Sequence, residues 1–101
     1  MSKVTHDDIR RQILEILYKS EREEPSSWGV DRGTMLRALE ISESDMDYDM
    51  VFLELRSLVR LTHTDSVIWF MARITSFGMT VMENKEAYKL QFPFLRATKS
   101  K

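Results

Sequence analysis

The sequence has no cysteine, which excludes disulfides, thiolate-bound metals and a cysteine nucleophile. It also lacks a basic excess: 15 Lys and Arg stand against 16 Asp and Glu, for a net charge of -1. Nothing in that balance draws the chain as a whole toward nucleic acid or acidic lipid, so any basic surface must be local. No long hydrophobic run occurs. The longest, Val67 to Ala72, is far too short to span a bilayer. The opening residues contain no apolar stretch of the signal-peptide kind, so a soluble, cytoplasmic protein without membrane contact is the expectation. There is neither an internal repeat nor a low-complexity tract. What is present is ordinary for one globular domain: 101 residues, 43% hydrophobic and 31% charged, enough for a single core and too short for two.

Apolar spacing divides the chain. Thr5 is placed to cap a first helix with Asp7 and Asp8 in its first turn, where carboxylates meet the positive end of the helix dipole. Ile9, Ile13, Leu14, Ile16 and Leu17 then recur at helical spacing, and Pro25 predicts the helix end just before it. Residues 26–30 read as a loop, with a short extended piece at Trp28 to Val30. Asp31 predicts the cap of a second helix that turns Met35, Leu36 and Leu39 inward, and Ser44 predicts the cap of a third, with Asp47 completing a near capping box. The period then changes. Leu58 to His63 and Val67 to Thr75 are rich in β-branched and aromatic residues around Thr64-Asp65-Ser66, which predicts a hairpin. Thr75 predicts the cap of a last helix running through Met79, Val81 and Met82 toward Tyr88.

Two stretches carry a family resemblance. Met46-x3-Met50-x2-Leu53-x4-Leu58-Val59 resembles the third helix of the winged helix-turn-helix family as it enters the wing, with Ser57 where the family often has glycine. Ala72-Arg73-Ile74-Thr75-Ser76-Phe77-Gly78 resembles the family's Ile-Thr-x-x-Gly ending of the wing. The resemblance covers roughly residues 5–88. It implies an α+β, mainly α fold: three helices, a β-hairpin wing and a C-terminal helix. That makes residues 1–101 one winged-helix domain, with 92–101 an apolar-then-basic tail. An unrelated α+β domain with an antiparallel hairpin is the competing reading.

The resemblance further implies a small, stand-alone protein like a transcriptional regulator, without enzymatic activity or cofactor, contacting duplex DNA. In that family the second helix crosses the phosphate backbone and the wing touches it, which makes Arg32 and Arg37 by the second helix, Arg60, His63 and Arg73 on the hairpin, and Arg56 at the end of the third helix the candidate nucleic-acid residues. The alternative role for these cations is pairing with the many Asp and Glu side chains. The third helix, the family's usual reader of the major groove, suits DNA poorly. From Glu43 to Glu54 it carries five carboxylates and no base, and carboxylates repel phosphates and cannot make the guanine contact of arginine.

If Met46, Met50 and Leu53 face the core, Asp45, Asp47, Tyr48, Asp49, Val51, Phe52, Glu54 and Leu55 lie on the outer side. Tyr48, Val51, Phe52 and Leu55 form a second apolar row there. Either the first helix or the tail covers this row, or it is a protein interface such as a homodimer seam. Phe92, Phe94 and Leu95 pose the same choice between packing back on the first helix and exchange with a second subunit, since members of the family often pair through their terminal helices. Trp28 and Trp69 read as core or hairpin residues. His6 and His63 have no neighbours at metal-ligand spacing, the Asp45 and Asp49 pair reads as a solubilising one, and no catalytic constellation is visible. Two functional readings follow: a DNA-binding regulator using wing and second helix, and a protein-interaction module using the third helix.

Overall fold

The computed structural model describes residues 4–96. Helix α1 (His6–Glu23) starts as Thr5 predicts, and the cap is reciprocal: the Thr5 hydroxyl accepts from the Asp8 amide at 3.1 Å while the Asp8 carboxylate accepts from the Thr5 amide at 3.2 Å. That carboxylate also takes a bond from Arg11, and the two sets of donors hold Asp8 below the usual carboxylate range. The chain leaves the helix at Glu24, ahead of Pro25.

Strand β1 (Val30–Asp31) leads directly into α2 (Arg32–Leu39), whose first turn is held by the Asp31 side chain on the Thr34 amide at 3.1 Å. Helix α3 (Glu43–Leu55) is capped by Ser42 and not by Ser44. The Ser42 backbone is extended and its hydroxyl accepts from the Asp45 amide at 3.1 Å, so Ser44 falls inside the first turn. Strands β2 (Val59–Thr62) and β3 (Met71–Ile74) follow, then α4 (Ser76–Glu83) capped by Thr75, a single turn α5 (Lys85–Tyr88) and a 3-10 turn at Pro93–Leu95. The last helix is therefore two pieces. At Asn84 the backbone leaves the helical region while its side-chain amide donates to the Thr80 carbonyl at 2.8 Å, satisfying a group that the helix end exposes.

The three strands form an antiparallel sheet in the order β1-β3-β2, with Val59 opposite Ile74 and Thr62 opposite Met71. The strands are shorter than their β-rich composition predicts, because side chains take over backbone groups past Thr62. The Thr64 hydroxyl accepts from the Val67 amide at 3.1 Å, and the His63 ring donates to the Ile68 carbonyl at 2.6 Å, so residues 63–70 form a broad loop.

The result is an α+β chain, mainly helical, with one apolar cluster around α1. Ile13, Leu14 and Leu17 meet Met35 of α2, Met46, Met50 and Leu53 of α3, and Val81 of α4 there. Full burial of such side chains is worth about 1.5–3 kcal/mol each relative to exposure. Trp69 belongs to this core, whereas Trp28 does not: it is 84% exposed, correcting its assignment to core or hairpin. Phe92, Phe94 and Leu95 are buried within the chain itself, on α1 and against Phe52 and Phe77, so their apolar surface is already spent. The basic residues expected beyond Arg96 lie outside the described residues. Among the described residues no helix is long and apolar enough to cross a membrane.

Two backbone positions fix how the sheet meets the helices. Ser57, between α3 and β2, sits in the left-handed region at φ 63, so serine makes the turn for which glycine is better suited. Gly29 has φ 110, and a Cβ there would lie 2.2 Å from the Ala72 carbonyl oxygen, so β1 can approach β3 only with glycine at this point.

Candidate functional site

The outer side of α3 is less uniformly acidic than its sequence suggests. Asp49, expected on the exposed side, is fully buried. It lies beside the inward stripe of Met46, Met50 and Leu53 and faces α1, which supplies both of its partners. Arg10 Nε donates to one carboxylate oxygen at 2.7 Å and His6 Nδ1 donates to the other at 2.6 Å. Asp47 is engaged on the opposite flank. The two terminal guanidinium nitrogens of Arg32 each donate to it at 2.7 Å and the Trp69 indole donates to it at 2.9 Å. This carboxylate, with Glu43 at 3.2 Å, raises the pKa of Arg32. Glu54 accepts from His63 at 2.9 Å. Asp45 is the one carboxylate of α3 with no cation at ion-pair distance among the described residues.

The six cations expected to meet phosphate are dispersed and largely occupied. Arg32 is committed to Asp47. Arg73 donates to the Pro25 carbonyl at 2.9 Å and makes a two-pronged pair with Glu21 at 2.9 Å, and that pair raises the pKa of Arg73 and lowers that of Glu21. Arg60 lies directly opposite Arg73 across β2 and β3. Like charges so placed repel, and the Glu21 carboxylate relieves this on one side only. Both ring nitrogens of His63 face acceptors, Glu54 and the Ile68 carbonyl, an arrangement that satisfies the protonated ring and raises its pKa. Arg37 donates to the Thr34 hydroxyl at 3.3 Å, and Arg56 sits over the Phe52 ring and donates to the Phe52 carbonyl at 3.2 Å. Only Arg37, Arg56 and Arg60 among the six have no carboxylate at ion-pair distance within the described residues.

The apolar row divides in two. Phe52 is half-buried, with the guanidinium carbons of Arg10 and Arg56 each 3.4 Å from its ring centre and Phe94 edge-on at 6.1 Å. Helix α1 and the closing turn therefore cover part of Phe52, whose remaining surface lines the groove with the rest of the row. Tyr48 and Leu55 are left 60% and 75% exposed. Together with Val51 and Ile68, itself 51% exposed on the hairpin loop, they line a groove of about 480 Å³ between α3 and that loop. Ser44 and Asp47 close one end and Arg56 the other. The His63 bridge from Glu54 to the Ile68 backbone ties the two walls together.

Ile68 and Arg10 were not legible as members of this site. The unbroken apolar run from Val67 to Ala72 hides which of its residues turn outward, and only tertiary packing sets Arg10 against Phe52. A second apolar hollow, of about 430 Å³, lies at the outer end of the sheet between Trp28, Thr62, Phe70 and Met71. Among the described residues no group of three His, Asp or Glu side chains converges on a metal position. No protein-family model, curated protein or solved structure matches this chain.

Proposed function

We propose that this chain is a winged-helix module without enzymatic activity that acts by binding another protein through α3 and the adjoining hairpin loop. The carrying observation is the groove of Tyr48, Val51, Leu55 and Ile68, in which Tyr48, Leu55 and Ile68 remain exposed while the inward apolar stripe of the helix is buried. Exposed, contiguous aromatic and aliphatic groups beside a polar rim mark interaction surfaces. The element order and the β1-β3-β2 sheet support the winged-helix assignment, because a helical trio followed by a two-stranded wing and a closing helix is its defining sequence of parts.

Duplex DNA retains a narrower support: Arg37, Arg56 and Arg60 are exposed and, among the described residues, without a carboxylate at ion-pair distance. Three such cations, dispersed over the surface, displace too few counterions for tight binding, since affinity and its salt slope grow with the number of phosphates neutralised. The decisive titration uses a mixed-sequence duplex at low ionic strength. No retardation is expected from the protein, and a benzophenone side chain at position 55, introduced in cells, is expected to yield a discrete protein adduct that Tyr48→Asp abolishes. Salt-sensitive retardation that Arg37→Ala and Arg60→Ala remove would replace the proposal with the DNA-binding regulator.

A further inference from the structure

Resting on that reading, we infer that the occupant of the α3 groove is a second copy of this chain, with the two α3 helices packed antiparallel about a two-fold axis. The exposed face of α3 carries its own complement. Its middle is apolar, its N-terminal end holds Asp45 without a cation, and its C-terminal end holds Arg56 without a carboxylate among the described residues. Tyr48 and Leu55 are seven residues apart, about two turns or 10 Å along the axis. A two-fold axis passing between Val51 and Phe52 therefore sets each Tyr48 level with the other copy's Leu55, and brings the two Val51 side chains together on one edge and the two Phe52 side chains on the other.

The same operation settles the charges. At 100° per residue, Asp45 and Arg56 both project on the Phe52 side of the helix. Under a two-fold axis perpendicular to the helices, like edges face each other, so Asp45 of one copy comes within about 3 Å, measured along the axis, of the other copy's Arg56. Two ion pairs form where, among the described residues of the single chain, two charges at opposite ends of one face have no opposite charge at ion-pair distance. The antiparallel arrangement also opposes the helix dipoles favourably. A parallel arrangement does the reverse, bringing Asp45 to Asp45 and Arg56 to Arg56. An unrelated partner would have to reproduce both the apolar spacing and the charge order that a second copy already provides.

Sedimentation equilibrium of the purified chain over micromolar to millimolar concentrations tests this. The expected species is twice the 12.0 kDa chain mass. Leu55→Asp is expected to give a monomer with an undisturbed cooperative melt, because this side chain contributes almost nothing to its own core. Arg56→Glu or Asp45→Arg alone is expected to weaken the dimer about tenfold, and the two together to restore it. Restoration distinguishes this pairing from any association through Trp28 or the tail. A folded chain that stays monomeric throughout overturns the second copy while leaving the broader interaction reading to the crosslinking and DNA tests. A dimer that survives Leu55→Asp, or a double variant no tighter than the single ones, also overturns it.

Discussion

Removing the Asp49 carboxylate tests the structure where it departs furthest from a surface reading of α3. Asp49 has no exposed area, and Arg10, which donates to it at 2.7 Å, keeps 13% of its side-chain surface in water. In Asp49→Ala the guanidinium stays in its slot on Phe52 with its main acceptor gone, and His6 loses its Nδ1 partner. Breaking one side of a buried pair costs about 3–5 kcal/mol, because the remaining charge is stranded. The partial exposure of Arg10 and the larger exposure of His6 let water relieve some of that, so a loss of about 3 kcal/mol is expected. In a domain of this size that lowers Tm by roughly 12 °C or more.

Urea unfolding followed by tryptophan fluorescence measures it. Trp69 is buried and bonded to Asp47, whereas Trp28 is already in water and contributes little change. The companion variant Arg10→Met with Asp49→Leu removes both charges and fills the space with apolar volume. It is expected to recover most of the loss. A loss below about 1 kcal/mol in Asp49→Ala, with no advantage for the double variant, would refute the burial argument and return Asp49 to the solvated surface.

Ser57→Gly is expected to raise stability by about 0.5–1 kcal/mol, since it relieves a left-handed residue while the Ser57 carbonyl keeps its bond from Thr75 at 2.6 Å; a lower urea midpoint would contradict the backbone assignment. Gly29→Ala is expected to lose about 3 kcal/mol or more, because it combines φ 110 with a Cβ 2.2 Å from the Ala72 oxygen, and a thermal melt equal to wild type would refute the close approach of β1 to β3. His63 has a folded pKa above its ordinary 6.5, so its contribution is fully present below that value and fades as pH rises through the folded pKa. The urea midpoint is accordingly expected to fall on the alkaline side of that window, and His63→Gln to flatten the decline. An unchanged pH profile in the variant would mean that the Glu54 and Ile68 contacts do not hold the hairpin loop.

Much of the fold was legible because it depends on local chemistry. Thr5, Asp31 and Thr75 are caps whose side chains reach an amide three residues on, which sequence spacing reveals directly. Met46, Met50 and Leu53 were readable as the inward stripe from helical periodicity alone. Ser42 displaced Ser44 because two candidates two residues apart differ only in backbone conformation, and the hairpin strands shortened because Thr64 and His63 compete for backbone groups. The tail needed long-range knowledge: Phe92, Phe94 and Leu95 lie against a helix some 80 residues earlier, a pairing no local pattern encodes.

The candidate site divides along the same line. The sequence by itself determined that α3 would combine an acidic row with an apolar one, since residue type and the 100° helical step place both. Only the tertiary structure decided which of these groups remain available. Packing on α1 buried Asp49 with Arg10 and His6 and sandwiched Phe52, Arg32 absorbed Asp47, and the hairpin loop brought Ile68 beside Tyr48 and Leu55. Charge and hydrophobicity are properties of a residue, but whether they reach solvent depends on what the rest of the chain sets against them.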